Sequence, residues 1–137
     1  MASFKVYING KEVIDGQTLP LQYAQTKPTF KFDRKNGERY TVIMVDPDAP
    51  YPDNPKYKYW LHWIVVNNDQ EFIPFNPPTP PQDSNNHRYF FFLLKQKLIF
   101  EPKLEPLPGR KNFNLTNFIT EHDMDDIASV YFKTGHQ

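Results

Sequence analysis

The chain of 137 residues is long enough for one domain with a substantial core, and it carries 16 basic and 16 acidic side chains. The formal net charge of zero gives no electrostatic reason to expect a nucleic acid or an anionic membrane as partner. The absence of cysteine excludes disulfides and cysteine nucleophiles, and no apolar run is long enough to span a bilayer. We therefore expect a single cytoplasmic domain over residues 1–137.

The first third of the chain predicts short strands joined by tight turns. Residues 4–8 alternate in polarity, and Asn9-Gly10 follows them before residues 11–14, which predicts a hairpin with a type I′ turn. Residues 29–32 predict a further short strand. These elements favour an architecture built mainly from strands.

Two apolar runs in the middle of the chain predict buried central strands. Residues 40–45 and 60–67 are rich in β-branched and aromatic residues, as buried strands are. The first run ends in D-P-D-A-P, whose two prolines force the chain to leave the sheet. Because side chains alternate along an extended segment, we expect Asp46 and Asp48 to point the same way and to form one corner of a pocket.

Side chains from the neighbouring segments complete this predicted pocket. Trp60 and His62 share one face of their strand, and His87 and Tyr89 alternate onto one face where the strand over residues 89–94 begins. The proline-rich stretch before that strand predicts a stiff, extended wall. Carboxylates, imidazoles and a phenol are thereby expected to meet at strand ends.

The last third of the chain predicts one short helix and a final strand. Asn114 is suited to cap the helix, and residues 127–132 predict the strand. Residues 97–100 are expected to extend the preceding strand. The apolar side of the helix is formed by Leu115, Phe118, Ile119 and His122. The whole pattern predicts a mainly β fold, a β-sandwich with Greek-key connections and one short helix near the C-terminus.

The order of these motifs resembles the phosphatidylethanolamine-binding protein family, which includes animal kinase inhibitors and plant flowering regulators. The motifs are D-P-D-A-P, W-L-H-W-I-V-V-N, the proline pairs followed by H-R-Y, and P-G-R-K-N-F, and the resemblance runs from about Val6 to Phe132. It implies the family's β-sandwich, in a short form that lacks the C-terminal helix. Asn85 stands where the family has glycine, so we predict a positive φ at this residue.

The resemblance also implies a pocket for a small anionic ligand, such as phosphate or a phosphoethanolamine head group. His62, Tyr89 and a loop amide near Thr79 would donate hydrogen bonds to the anion. The two aspartates would either hold an imidazole protonated or accept the proton of a partly protonated phosphate. The residues expected to bind the ligand are Asp46, Asp48, Trp60, His62, Thr79, Pro80, Pro81, His87 and Tyr89.

Other interpretations of the same residues stay open. Aspartates before prolines are common in turns, and a histidine on an apolar strand is often an ordinary core residue. Two histidines and two aspartates also suit a divalent metal ion, although they lie at separate strand ends without a local ligand pair. We expect neither a metal nor another cofactor. The serines lack the sequence context of a nucleophile, so we do not expect an enzyme.

The alternative function is that of a regulator that inhibits a kinase or protease by direct contact. The loops at the rim of the pocket, residues 51–58 and 67–75, would then form the interface. Outside the pocket, Arg88 is expected to pair with a carboxylate behind it, and Arg110 to hold the approach to the helix. His122 and His136 are expected to be surface residues without a further role.

Overall fold

The computed structural model describes residues 3–101 and 109–136, which form two sheets and one short α-helix. No helix in these ranges is long and apolar enough to cross a membrane. A 3-10 turn lies at Tyr23–Gln25, and the other elements are β1 (Phe4–Ile8), β2 (Lys11–Glu12), β3 (Gln17–Thr18), β4 (Thr29–Phe32), β5 (Arg39–Asp46), β6 (Trp60–Val66), β7 (Gln70–Ile73), β8 (His87–Gln96), α1 (Leu115–Glu121) and β9 (Met124–Thr134).

The larger sheet has the strand order β3-β9-β8-β5-β6-β7 and contains a Greek key. Strands β5, β6 and β7 pair in succession as hairpins, and β8 returns to pair with β5 on its free side. The smaller sheet has the order β2-β1-β4. The predicted mainly β fold, with Greek-key connections and one short helix near the C-terminus, is confirmed.

Each face of the larger sheet has its own apolar core. On one face, Val42 and Met44 of β5 belong to a cluster that includes Val6 of the smaller sheet. On the other face, Ile43 belongs to a cluster that includes Phe118 of α1. Burial of an apolar side chain of this size stabilises the fold by about 1.5–3 kcal/mol. Because β5 is covered on both faces, its sequence is almost continuously apolar and its end at the pocket is held firmly in place.

The predicted local signals at both ends of the chain are confirmed. Asn9 and Gly10 have φ values of 53° and 78°, and positive values at both central residues define the type I′ turn. The side chain of Asn114 accepts a hydrogen bond from the backbone N–H of Asn117 at 2.9 Å, so it caps α1 as expected.

The prediction that residues 97–100 extend the preceding strand was wrong. Strand β8 ends at Gln96, whose side-chain amide donates to the carbonyl oxygen of Leu98 at 3.0 Å. Beyond Gln96, the side chain of Asn67 makes the hydrogen bonds that a neighbouring strand would otherwise make. It donates to the Phe100 carbonyl oxygen and accepts from the Phe100 N–H. These side-chain hydrogen bonds replace the backbone hydrogen bonds of a strand. They also direct the Phe100 ring into the apolar core that includes Ile43 and Phe118.

The predicted positive φ of Asn85 was also wrong. Among the described residues other than glycine, positive φ values occur at Asn9, Asn67, Asn68, Asn112 and Asp123. The chain turns over residues 81–84, before it reaches Asn85, because the Ser84 N–H donates to the Pro81 carbonyl oxygen at 3.1 Å. Asn85 therefore needs no left-handed conformation, and a glycine at this position brings no relief of strain.

Candidate functional site

The predicted pocket exists at one end of the larger sheet, where β5 ends and β6 and β8 begin. Its volume is about 140 Å³. The cavity is lined by Asp46, Ala49, Pro50, Tyr57, Trp60, His62, Thr79, Pro80, Pro81, His87 and Tyr89. All of the predicted site residues line it except Asp48. Ala49, Pro50 and Tyr57 were missed by the sequence analysis, although Ala49 and Pro50 belong to the D-P-D-A-P motif.

Asp48 lies behind the pocket because the chain turns between the two aspartates. Asp46 Oδ1 accepts the backbone N–H of Asp48 at 2.7 Å, which closes an Asx turn and ends the extended alternation. The buried Asp48 carboxylate instead accepts the backbone N–H of Arg88 at 2.8 Å and two guanidinium N–H groups at 2.9 and 3.0 Å. The expected pairing of Arg88 behind the pocket is confirmed, and Asp48 is its partner.

Asp46 and His87 form a buried pair at the floor of the pocket, with exposed fractions of 3% and 1%. His87 Nδ1 lies 2.7 Å from Asp46 Oδ2, and His87 Nε2 lies 2.8 Å from the Ser84 hydroxyl oxygen. Burial raises the pKa of the Asp46 carboxyl, while its hydrogen bonds with His87 and the Asp48 N–H act in the opposite direction. Ser84 was missed by the sequence analysis, and its position three residues before His87 was the available signal.

His62 is a neutral hydrogen-bond acceptor, which corrects the expectation that it donates to an anion. Its Nδ1 contacts the carbonyl oxygen of Asn76, and because a carbonyl only accepts, Nδ1 carries the proton. Burial lowers the pKa of His62 to about 4, so the ring stays uncharged near neutral pH. Nε2 is left with a free lone pair at the wall of the pocket.

Tyr89 also lines the cavity, and its hydroxyl group is an unpaired donor. Its hydroxyl is the buried side-chain polar atom without a hydrogen-bond partner in the described part of the chain. Burial raises the pKa of Tyr89, with the carboxylates of Asp46 and Asp48 as further causes, so the group is a neutral phenol. The ring is held between His87 and Phe132, with centroid distances of 6.2 and 5.5 Å. A rigid buried donor without a partner is costly unless a ligand or water accepts from it.

The proline-rich wall is held by side chains that donate to every second carbonyl group. The donor and acceptor residues are Arg110 to Pro74, His62 to Asn76, Gln25 to Pro78 and His136 to Pro80. Prolines have no N–H group, so the wall cannot be fixed by a strand ladder and depends on these donors. The exposed His136 thus has a role that the sequence analysis did not assign, and Arg110 supports the pocket as well as the approach to α1.

Thr79 has the single backbone N–H group among residues 77–81, since the other four are prolines. This N–H makes no hydrogen bond to another described residue. Trp60 is different, because its indole N–H donates to the side chain of Asn76 at 3.3 Å. Three of the unpaired polar groups of the lining residues are therefore the Tyr89 hydroxyl, the Thr79 N–H and His62 Nε2, and the hydroxyl groups of Tyr57 and Thr79 also lie among the lining residues. No lysine or arginine lines the cavity.

Gly135 controls how closely the end of β9 approaches the pocket. A Cβ atom at this position would lie 2.7 Å from Asn86 Oδ1 and 3.2 Å from Asn86 Cα. Gly135→Ala is therefore expected to push the two segments apart and to withdraw His136 from Pro80. We expect the free energy of unfolding to fall by about 1–3 kcal/mol, the usual cost of overpacking, in urea titrations.

His136→Ala is the matched control for this variant, because it removes the contact with Pro80 without adding an atom at residue 135. If Gly135→Ala lowers the free energy of unfolding no more than His136→Ala does, the close approach of Gly135 to Asn86 does not matter for stability.

A metal centre is not indicated by the arrangement of the pocket. In residues 3–101 and 109–136, no group of three or more histidine, cysteine, aspartate or glutamate side chains is placed to hold a metal ion. Asp46 and His87 instead bond to each other, His87 also bonds to Ser84, and His62 Nδ1 donates to the wall at Asn76, which leaves His62 Nε2 as the one free ring nitrogen of the two histidines.

The described residues form a mainly β fold with a small, proline-walled cavity at one end of the larger sheet. Comparison with known proteins gives the family of the chain. The family model described as phosphatidylethanolamine-binding protein matches residues 9–70 and 67–132. A phosphatidylethanolamine-binding protein homolog of Acanthamoeba polyphaga mimivirus is 45% identical over 137 residues, covering 96% of each chain. The chain belongs to the phosphatidylethanolamine-binding protein family.

The chain is also similar to another sequence relative and to two solved structures. TERMINAL FLOWER 1 of Arabidopsis thaliana is 29% identical over 96% of this chain and 78% of its own length. A phosphatidylethanolamine-binding protein from Plasmodium vivax superposes with a TM-score of 0.81 at 22% identity, covering 99% and 86% of the two chains. A carboxypeptidase Y inhibitor, solved with its cognate proteinase, superposes with a TM-score of 0.85 at 23% identity, covering 98% and 83%. These two structures show a likeness of fold.

Proposed function

We propose that the pocket binds a small oxyacid that retains one proton, and that a phosphate monoester is the ligand class. The observation that carries the proposal is that two unpaired donors, the Tyr89 hydroxyl and the Thr79 N–H, belong to the same lining as His62 Nε2, an unpaired nitrogen that can only accept. The Tyr89 hydroxyl and the Thr79 N–H can each donate to a phosphate oxygen, while His62 Nε2 can accept from a phosphate O–H. A dianion would instead set its lone pairs against those of His62 and against the Asp46 carboxylate.

A protonated ligand also explains why an acidic residue, Asp46, can line a site for an anion. The monoanion needs less positive charge than the dianion, and the lining residues include no lysine or arginine. The stiff wall, fixed by four side-chain donors, holds the Thr79 N–H in place before the ligand arrives, which lowers the entropic cost of binding. The domain is then a ligand-binding regulatory module, as the names of its relatives suggest, and not an enzyme.

Calorimetric titration with phosphoethanolamine between pH 8 and pH 6 tests the proposal. Affinity is expected to rise as the pH falls, because a phosphate monoester gains its proton near pH 6 and the monoanion is the bound form. The gain approaches about tenfold per pH unit above that value. His62, with a pKa of about 4, stays neutral throughout this range, so the pH dependence does not come from its ring.

Sulfate is the matched control ligand, because it has the shape of phosphate but no proton to donate in this pH range. It is expected to bind much more weakly than phosphate. The variant His62→Phe keeps a ring of similar size but removes the acceptor, and it should lose phosphoethanolamine binding. Equal affinity for sulfate and phosphate, or affinity that rises with pH, would overturn the proposal.

Regulation through contact with another protein is the second candidate. The carboxypeptidase Y inhibitor of similar fold is, by its description, complexed with a proteinase, and Tyr57 of the predicted rim loop lines the pocket here. A partner protein that binds the rim loop would then respond to whether the pocket holds a ligand, because Tyr57 belongs to both the loop and the pocket lining. The substitution Tyr57→Ala should then reduce inhibition of a carboxypeptidase or kinase in an activity assay while the fold is kept.

A further inference from the structure

We infer that Ser84 keeps two protons on the buried Asp46–His87 pair, and that this proton count lets an anion enter the pocket. The effect on anion binding rests on the proposed function, whereas the number of protons on the pair follows from hydrogen-bond geometry alone. It assigns a positioning role to a residue outside the cavity lining. Ser84 does not touch the ligand in this account and acts through His87.

The protons can be assigned one contact at a time, starting from a carbonyl group. The Ser84 hydroxyl lies 2.7 Å from the carbonyl oxygen of Asn85, which can only accept, so the one hydroxyl proton of Ser84 points there. The Ser84 oxygen must then accept in its 2.8 Å contact with His87, and Nε2 of His87 carries a proton. A second proton lies between His87 Nδ1 and Asp46 Oδ2, which are 2.7 Å apart.

The number of protons fixes the net charge of the pair. With two protons the pair is neutral overall, whether it is an imidazolium beside a carboxylate or an imidazole beside a carboxylic acid. With one proton it has a net charge of −1. Because the pair is almost fully buried, a full negative charge at the floor of the pocket is poorly screened and would repel an anion.

The surrounding groups do not supply a compensating charge. Asp48 is paired with Arg88, His62 is neutral, and Tyr89 is a neutral phenol. On β9 the residue that pairs with His87 is Thr134, which is uncharged, and His136 donates to the wall at Pro80. The proton count of the Asp46–His87 pair therefore decides the charge that a ligand meets.

The same three side chains have the order of a serine hydrolase triad, but their protons are placed differently. In such a triad, His Nε2 is unprotonated and accepts the serine proton. Here the Ser84 proton is directed to Asn85 and Nε2 already carries its own proton. Ser84 is therefore an acceptor that stabilises the protonated pair and not an activated nucleophile.

The test measures the titration of the His87 ring by nuclear magnetic resonance in the ligand-free protein. In Ser84→Ala, the proton bound to Nε2 loses its acceptor, so the pair should lose a proton about one pH unit lower than in the unmodified protein. Ser84→Thr keeps the hydroxyl and should titrate as the unmodified protein does. Ser129→Ala removes an exposed hydroxyl from β9 and should leave the titration unchanged.

Phosphoethanolamine titrations of the same proteins give the functional readout. At pH values above both His87 titrations, Ser84→Ala should bind about tenfold more weakly, and below both it should bind as the unmodified protein does. Damage to the pocket would weaken binding at every pH. An unshifted His87 titration in Ser84→Ala overturns the inference, as does Ser84-dependent hydrolysis of p-nitrophenyl acetate. A shifted titration without any phosphoethanolamine binding would leave the inference standing and reject the proposed function.

Discussion

Arg110→Ala is expected to lower the free energy of unfolding by about 2–4 kcal/mol at pH 7, because one guanidinium group holds three backbone carbonyl groups. Arg110 donates to the carbonyl oxygens of Leu61 and His62 at 3.0 Å each, and to that of Pro74 at 2.9 Å. Two of these acceptors belong to almost fully buried residues of β6. Loss of the hydrogen bonds from Arg110 would leave these carbonyl oxygens poorly hydrated at the base of the proline-rich wall.

Urea unfolding measures this loss, and two variants serve as controls. Arg110→Lys keeps the charge but offers a single donor group, so it should restore only part of the stability. Arg34→Ala removes an exposed guanidinium that lies over the Phe32 ring, and it should cost much less. A cost below about 0.5 kcal/mol for Arg110→Ala would show that water replaces the arginine at these carbonyl groups.

The consequence of Arg110→Ala for the pocket follows from the same contacts. Arg110 fixes the start of the wall at Pro74, while Gln25 fixes it at Pro78 and His136 at Pro80. The wall without its first support would move more freely, and the Thr79 N–H would no longer be held in position before binding. Phosphoethanolamine affinity should therefore fall together with stability.

The sequence predicted the strands well because their signal is local. Apolar, β-branched runs identified β5 and β6, and the Asn9-Gly10 pair identified the first hairpin. The end of β8 could not be predicted in this way. It depends on Asn67, which is distant along the chain and replaces ladder contacts by side-chain hydrogen bonds to Phe100.

The lining of the pocket was largely predictable, but the direction of its hydrogen bonds was not. Strict alternation placed Asp48 in the pocket, whereas the Asx turn at Asp46 turns it towards Arg88. His62 has the expected position, yet its protonation follows from one carbonyl group, at Asn76, that no local pattern connects to it. Residue types indicate which atoms are available, and the partners of those atoms decide whether they donate or accept.

The protein is expected to lose about 3 kcal/mol of stability between pH 6.5 and pH 4 on account of His62 alone. In the unfolded chain this imidazole has its ordinary pKa near 6.5, whereas burial lowers the pKa of His62 to about 4 in the folded protein. Between these values the unfolded state binds a proton that the folded state does not. The stabilisation is thus complete above pH 6.5 and is lost as the pH falls towards 4.

The substitution His62→Gln isolates this contribution, because glutamine can still donate to the Asn76 carbonyl oxygen but does not titrate. Urea unfolding of both proteins at several pH values between 7.5 and 4.5 should show a steeper loss for the unmodified protein, with the difference growing as the pH falls. His136→Gln is the matched comparison, because it also replaces a histidine that donates to a carbonyl oxygen of the wall, at Pro80. Parallel curves for His62→Gln and the unmodified protein would mean that the folded protein takes up the His62 proton as readily as the unfolded chain, and His62 could then donate to an anion after all.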